Sequence, residues 1–134
     1  MAKTITFITG GARSGKSRFA LEMTVKYGKK VFIATAVAFD SEMKKRIAAH
    51  KRTRKGSFRT IEEPLDLATA IKGLPDKTGV CVVDCLTVWL GNLAHRYGKK
   101  LENAGEIEDF LKVIKNPPCD MIIVSNKIGM GIVP

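Results

Sequence analysis

Residues 10–17 carry the spacing of a phosphate-binding loop, with Gly10, Gly15, Lys16 and Ser17 at the fixed positions of the pattern G-x-x-x-x-G-K-[ST]. The glycines let backbone N–H groups turn toward an anion, and a helix that starts at the lysine adds its positive dipole end. The lysine can reach the outer phosphates, and the serine hydroxyl can ligate Mg²⁺. The spacing predicts nucleotide binding; a glycine turn with a surface lysine is the simpler alternative.

Asp84 is a second candidate, because it directly follows the apolar run at 80–83. A carboxylate at the end of a buried strand, in a protein with a phosphate-binding loop, commonly orients magnesium or the attacking hydroxyl. The alternative is an aspartate that caps the helix after the strand. One residue could serve both purposes.

His50 is a candidate nucleophile. On a predicted helix it shares a face with Met43 and Ile47, and Arg46 and Arg54 lie four residues to either side. Two neighbouring cations disfavour protonation of the imidazole, which leaves the ring neutral and nucleophilic, and they could hold a phosphate beside it. An ordinary histidine on an amphipathic helix remains the alternative. His95, the other histidine, lacks such surroundings and is interpreted as structural.

Composition and charge narrow the classes of function that the protein could have. The chain has 134 residues, 45% of them hydrophobic, and a net charge of +10, much of it between Lys44 and Arg59. That charge attracts anions, but aromatic residues make up only 7%, which argues against a single-stranded nucleic-acid platform. No apolar run reaches the ~20 residues of a membrane span, so we expect a cytoplasmic protein. Cys81, Cys85 and Cys119 match no zinc or redox spacing and are interpreted as buried hydrophobes.

The apolar pattern predicts an α/β fold. Short Val- and Ile-rich runs predict strands, buried on both faces, at 5–8, 31–35, 80–83 and 121–124, with a further strand at 58–62. Helices are expected at 16–27, 40–55, 65–71, 86–97 and 107–114. In the first of them Phe19, Ala20, Met23 and Tyr27 share the apolar face. Strands that alternate with helices predict a mostly parallel sheet with helices on both faces, in one domain over residues 1–134.

In such a sheet, ligands bind beyond the carboxyl ends of the strands. The groups expected at that edge are the phosphate loop, residues 34–36, Asp84, Ser125 and Asn126.

Several segments together resemble one family, the bifunctional adenosylcobinamide kinase / adenosylcobinamide-phosphate guanylyltransferases. The resemblance spans nearly the whole chain in order. It lies in GGARSGKSRFA at 10–20, IATA at 33–36, DSEM at 40–43 with RI at 46–47 and His50, FRTIEEP at 58–64, VDCLTVWL at 83–90 with NL at 92–93, and VSNKIGMGIVP at 124–134.

The resemblance implies a P-loop NTPase-like three-layer sandwich and two reactions of cobalamin biosynthesis. A nucleoside triphosphate, ATP or GTP, first phosphorylates adenosylcobinamide. GTP then guanylylates a histidine, which passes GMP to adenosylcobinamide phosphate and gives adenosylcobinamide-GDP. His50 matches that histidine, with Lys16 and Asp84 as further catalytic residues and Ser17 as a ligand of Mg²⁺. The residues implied to bind the nucleotide are Gly10, Gly11, Ala12, Arg13, Ser14, Gly15, Lys16, Ser17, Ala34, Thr35, Ala36, Lys51, Arg52, Thr53, Arg54, Glu62 and Asp84.

The chain departs from the family in three places. Ala49 precedes His50 where members often carry a second histidine, so His50 is the candidate. Lys127 stands where the family has glutamate. The family continues with a last helix and strand beyond the position of Pro134, and we expect a chain without them to be poorly active.

The competing functions are a generic small-molecule kinase without a covalent histidine, a truncated non-catalytic nucleotide-binding remnant, and a basic nucleic-acid-binding module. The last is disfavoured because no groove-reading motif is present. The expected partners are therefore small molecules, with neither nucleic acid nor a membrane span. The resemblance also implies a homo-oligomer, as a trimer.

Overall fold

The computed structural model of the protein describes residues 3–11, 15–36 and 58–126. Its centre is a sheet of five strands paired in parallel, in the spatial order β1–β5–β4–β2–β3. The strands are β1 (Ile5–Gly10), β2 (Lys30–Ala34), β3 (Phe58–Glu62), β4 (Val80–Asp84) and β5 (Asp120–Asn126). All five predicted strands are therefore confirmed, including the one at 58–62.

Among the described elements, one α-helix lies between β1 and β2, another between β3 and β4, and two lie between β4 and β5. The helices are α1 (Lys16–Met23), α2 (Leu67–Lys72), α3 (Leu86–Tyr97) and α4 (Gly105–Lys115), with a 3₁₀ helix at Gly98–Asn103. Gly98 adopts a positive φ of 58° directly after α3, as expected for a glycine that ends a helix. Helix α4 carries Glu106 and Glu108 in its first turn and Lys112 and Lys115 in its last turn. The helix dipole favours this order of charges.

Alternate residues of the strands enter two separate cores, because successive side chains point to opposite faces of a sheet. Val31 and Ile33 face α2, α3 and α4, where Trp89 packs against Phe110 with ring centroids 4.9 Å apart. Phe32, from the same strand, belongs to the smaller core under α1. Helices on both faces of a parallel sheet confirm the predicted α/β class.

Two details of the predicted packing were wrong. Helix α1 ends at Met23 rather than near Tyr27, since the hydroxyl and N–H of Thr24 both donate to the carbonyl of Leu21, at 2.6 and 3.0 Å, and tighten the chain into a turn. Phe19, expected on its apolar face, is 54% exposed. The eight-residue helix covers less of the sheet than the predicted one would.

Strand β1 differs from the prediction that both its faces are buried. Phe7 is 53% exposed, and β1 is an edge strand of the described sheet, where it pairs with β5. The predicted helix at 40–55 lies outside the described residues, and the prediction of one domain over 1–134 stays a prediction. No helix in the described ranges combines the length and the apolar character needed to cross a membrane.

Candidate nucleotide site at the carboxyl edge of the sheet

Gly15 stands directly before α1 and differs from the helix in its backbone conformation. Gly15 has a φ of +81°, a left-handed conformation that glycine adopts without steric cost, and it supplies the carbonyl to which the N–H of Phe19 donates at 3.0 Å. Lys16 begins the helix and is 8% exposed. Its Nζ donates to the carbonyl of Gly11 at 2.5 Å, so the ammonium group reaches back to the residue that follows β1.

Ser17 and Asp84 lie 67 residues apart in the sequence, but their side chains contact each other. The Ser17 hydroxyl donates to Oδ2 of Asp84 at 2.7 Å, which joins the first turn of α1 to the end of β4. A hydroxyl and a carboxylate oxygen are ligands that Mg²⁺ prefers, and Mg²⁺ usually takes only one or two protein ligands, with water and phosphate oxygens completing the shell. This pair therefore fits a magnesium ion.

The described residues contain no group of three or more His, Cys, Asp or Glu side chains that could hold a metal. Zinc sites commonly need such a group, whereas magnesium beside a bound nucleotide does not. A hydroxyl and a carboxylate, as at Ser17 and Asp84, suit a metal whose coordination shell is completed by phosphate oxygens and water.

Cys85, the residue after Asp84, decides between the two roles considered for Asp84: helix cap or metal ligand. Cys85, rather than Asp84, occupies the N-cap of α3, where its Sγ accepts from the N–H of Val88 at 3.4 Å. The peptide bond between Asp84 and Cys85 is cis. Because the cysteine provides the cap, the Asp84 carboxylate is available to face Ser17.

The three cysteines are free and buried, as the sequence suggested. Burial is the largest cause of the raised pKa of Cys85, and the charge of Asp84 raises it further, against the opposing hydrogen bond from Val88. Burial likewise raises the pKa of Cys119 to about 11 and that of Cys81 well above its ordinary value. These side chains stay protonated at neutral pH and are poor nucleophiles.

The register of the strands aligns further predicted residues with Asp84. Ala34 pairs with Asp84 on one side and with Glu62 on the other, so Glu62 lies two strands away, roughly 10 Å at the usual spacing of strands. The carboxyl edge therefore carries the phosphate loop at one end and residues 34–36 and Glu62 at the other.

Three residues near this edge had no individual role in the sequence analysis. Thr87 donates to the carbonyl of Asn126 and accepts from its N–H, both at 3.0 Å, and lies 3.2 Å from the Ser125 hydroxyl. Glu63 accepts from the N–H groups of Leu65 and Asp66 at 3.0 and 2.9 Å.

The third is Asn92, whose Nδ2 donates to the carbonyls of Thr35 and Pro64 at 2.9 and 3.0 Å. In the sequence, Asn92 stood out only as part of the segment at 92–93 that resembles the family.

The structure thus brings Gly10, Gly11, Gly15, Lys16, Ser17, Ala34, Thr35, Ala36, Glu62 and Asp84 to one edge of the sheet. Thr35 is fully buried, and its hydroxyl bonds to the backbone of Cys85. The remaining predicted residues lie outside the described ranges: Ala12, Arg13, Ser14, His50, Lys51, Arg52, Thr53 and Arg54, together with Lys127.

A parallel sheet that delivers a glycine loop, a buried lysine and a serine–aspartate pair to one edge defines the class of P-loop nucleotide-binding proteins. Within that class, the sequence profile described as cobinamide kinase / cobinamide phosphate guanyltransferase matches residues 6–134. The chain belongs to this family. It is an enzyme of cobalamin biosynthesis, a kinase and transferase that acts on small molecules.

The names of individual relatives are consistent with the family. The bifunctional adenosylcobalamin biosynthesis protein CobP of Pseudomonas aeruginosa is 44% identical over 128 residues, which cover 95% of this chain and 73% of the relative. The bifunctional adenosylcobalamin biosynthesis protein CobU of Escherichia coli and that of Salmonella typhimurium are each 33% identical over 139 residues, covering 95% of this chain and 77% of the relative.

Proposed function

We propose that this enzyme phosphorylates adenosylcobinamide and then transfers GMP from GTP to adenosylcobinamide phosphate through a guanylyl-histidine at His50. The observation that supports the nucleotide half most directly is the 2.7 Å contact between Ser17 and Asp84 beside the buried Lys16. Family membership supports the pair of reactions. Among the competing functions, this edge of the sheet supports those that use a nucleotide.

The phosphate end of the nucleotide would lie over the glycine loop, since Lys16 and the N-terminus of α1 provide positive charge there. An outer phosphate would replace the Gly11 carbonyl as the partner of the Lys16 ammonium. Ser17 and Asp84 would hold Mg²⁺, which neutralises charge on the phosphates when it is bound. The base and ribose would extend toward β2 and β3, where residues 34–36 and Glu62 lie.

In the first reaction, the hydroxyl of the aminopropanol group attacks the γ-phosphorus of ATP or GTP. An O–P bond forms, the bond to the bridging oxygen breaks, and the nucleoside diphosphate leaves. Asp84 is placed to orient the metal or the hydroxyl, and Lys16 to stabilise negative charge on the transferred group.

In the second reaction, a neutral imidazole nitrogen of His50 attacks the α-phosphorus of GTP, and pyrophosphate leaves as an N–P bond forms. A phosphate oxygen of adenosylcobinamide phosphate then attacks the same phosphorus, which breaks the N–P bond and returns the free imidazole. The basic residues Lys51, Arg52 and Arg54, with Thr53, would contact the GTP. From the family resemblance alone, we also propose a homo-oligomer, as a trimer.

The covalent step has a sharp test, because the chain contains two histidines and one is a matched control. His95 lies on α3 and is exposed. The protein is incubated with GTP labelled at the α-phosphate, denatured, and assayed for acid-labile label. We expect His50→Ala to retain none and His95→Ala to retain as much as the wild type.

Retention of acid-labile label by His50→Ala contradicts the assignment of the nucleophile. Kinase activity in a wild-type protein that never retains label would favour the generic kinase instead. Tight GTP binding with neither product would favour the non-catalytic remnant.

A further inference from the structure

Thr35 has its hydrogen-bonding groups bound within the protein. The residue follows β2 and is 0% exposed. Its N–H donates to the carbonyl of Asp84 at 3.1 Å, and its own carbonyl accepts from Nδ2 of Asn92 at 2.9 Å. Its hydroxyl donates to the carbonyl of Cys85 and accepts from the N–H of Cys85, both at 2.8 Å. Thr35 therefore contacts the backbone carbonyl of Asp84 and both backbone polar groups of Cys85, the residue that follows it.

The position of these bonds matters because the ladder between β2 and β4 ends at the pair Ala34–Asp84. Beyond this pair the chain turns into α3, and regular strand pairing no longer holds the backbone. The Thr35 hydroxyl replaces that pairing for Cys85. On the other side of the same turn, the Asp84 carboxylate meets Ser17 at 2.7 Å.

We propose that Thr35 is a positioning residue for Asp84, which fixes the turn at residues 84–85 so that the carboxylate faces Ser17 and the metal held with the nucleotide. The resemblance had implied that Thr35 lines the nucleotide site. With its hydroxyl committed to Cys85, Thr35 acts on the nucleotide through Asp84. The assignment rests on the proposed magnesium–nucleotide site.

The test compares one substitution that removes the Thr35 hydroxyl with another that keeps it. Thr35→Val keeps the shape of the side chain and removes the hydroxyl, which leaves the N–H and carbonyl of Cys85 without that partner. Thr35→Ser keeps the hydroxyl and is the matched control. The probe is Mn²⁺, a paramagnetic substitute for Mg²⁺, titrated into the full chain bound to a non-hydrolysable GTP analogue and followed by electron paramagnetic resonance.

We expect Thr35→Val to weaken Mn²⁺ binding about tenfold, the change that follows from one lost hydrogen bond in a buried network. Thr35→Ser should stay within about twofold. Affinity for the analogue without metal, measured in excess chelator, should be unchanged in both variants, since the hydroxyl does not face the nucleotide. Urea unfolding of each variant shows that it is folded.

Three results would overturn the assignment. Equal Mn²⁺ affinity in the wild type and folded Thr35→Val leaves only a structural role. Loss of metal-free nucleotide affinity in Thr35→Val indicates direct contact with the ligand. A wild type that binds the analogue but no Mn²⁺ refutes the proposed metal site, and this assignment with it, whereas the first two results refute the assignment alone.

If Thr35→Val does not fold, Asn92→Ala serves as the second variant. It removes the donor to the Thr35 carbonyl while leaving the hydroxyl in place, and we expect a smaller loss of Mn²⁺ affinity in the same direction. Wild-type Mn²⁺ affinity in folded Asn92→Ala would likewise count against the proposal.

Discussion

Two aspartates at opposite edges of the sheet accept a hydrogen bond from a hydroxyl group, yet their surroundings differ. At the carboxyl edge, Asp84 accepts from Ser17 at 2.7 Å. At the amino edge, Asp120 accepts from Tyr27 at 2.6 Å and also from the backbone N–H of Thr4 at 2.9 Å. The second bond ties Asp120 to the start of β1, whereas the described residues supply the Asp84 carboxylate with one donor.

This difference distinguishes a structural aspartate from a functional one. The partners of Asp120 belong to the chain segments that flank β1 and α1, so its bonds help to hold these elements to β5. Asp84 keeps acceptor capacity beside a serine and a buried lysine at the edge where parallel sheets bind ligands. The same side chain in a similar position of a strand therefore serves different purposes according to its neighbours.

The largest expected contrast is in activity. Asp84→Asn keeps the size of the side chain but removes the charge that a metal needs, and we expect cobinamide kinase activity to fall by about 10²- to 10³-fold. Asp120→Asn, the matched change at the other edge, should leave kcat within about twofold, since Asp120 lies away from the ligand edge. Steady-state kinase assays measure both. Similar losses in the two variants would remove the distinction between the two aspartates.

A second contrast concerns stability. Tyr27→Phe removes only the hydroxyl that donates to Asp120, and we expect the free energy of unfolding to fall by about 1 kcal/mol. Ser17→Ala removes the corresponding donor to Asp84 but should change that free energy by less than about 0.5 kcal/mol, while it weakens metal-dependent nucleotide binding. Urea titrations of both variants provide the comparison. A larger loss of stability in Ser17→Ala would reverse the interpretation.

The smallest expected effect is the pH dependence of the amino edge. The hydrogen bond from Thr4 is the main cause that lowers the pKa of Asp120, followed by that from Tyr27. The folded protein thus holds the proton less tightly than the unfolded chain. The stability contributed by Asp120 is present above its unfolded pKa of about 3.9 and is lost as the pH falls through the lower folded value.

Tyr27 shows the opposite sign. Its hydrogen bond to Asp120 is the main cause of its raised pKa, with burial second. That stability is present below the unfolded pKa of about 10 and is lost as the pH rises through the folded value. Unfolding free energies measured across pH should show a weaker alkaline loss in Tyr27→Phe and a weaker acid loss in Asp120→Asn. Unchanged profiles would show that the pair contributes little.

Local pattern was sufficient for most of the fold. The short Val- and Ile-rich runs predicted four of the five described strands, the strand at 58–62 was predicted as a further one, and the helix predicted at 86–97 is α3. The length of α1 was not predictable in this way, because the turn at Thr24 depends on a hydroxyl that bonds a carbonyl of its own helix. Tyr27 fits a helical face by spacing, but it contacts Asp120, 93 residues further along the chain.

The candidate site shows the same division. Spacing alone identified Lys16 and Ser17, because a phosphate-binding loop is a contiguous segment whose functional residues lie close together in the sequence. Asp84 was predicted with two roles, and choosing between them required seeing that Cys85 caps α3. Asn92 belonged to a segment of the family resemblance, but its role was not predictable because its partners Thr35 and Pro64 are distant in sequence.

The sequence by itself determined the class of fold, the family and the loop that can hold phosphate, since each rests on residues that act through their immediate neighbours. Only the tertiary structure decided that Ser17 faces Asp84 across 67 positions and that Thr35 is bound to Cys85 across 50. Such pairs depend on which strands become neighbours in the sheet. That order is set by the packing of two cores and the handedness of the crossovers, which no local stretch of the chain contains.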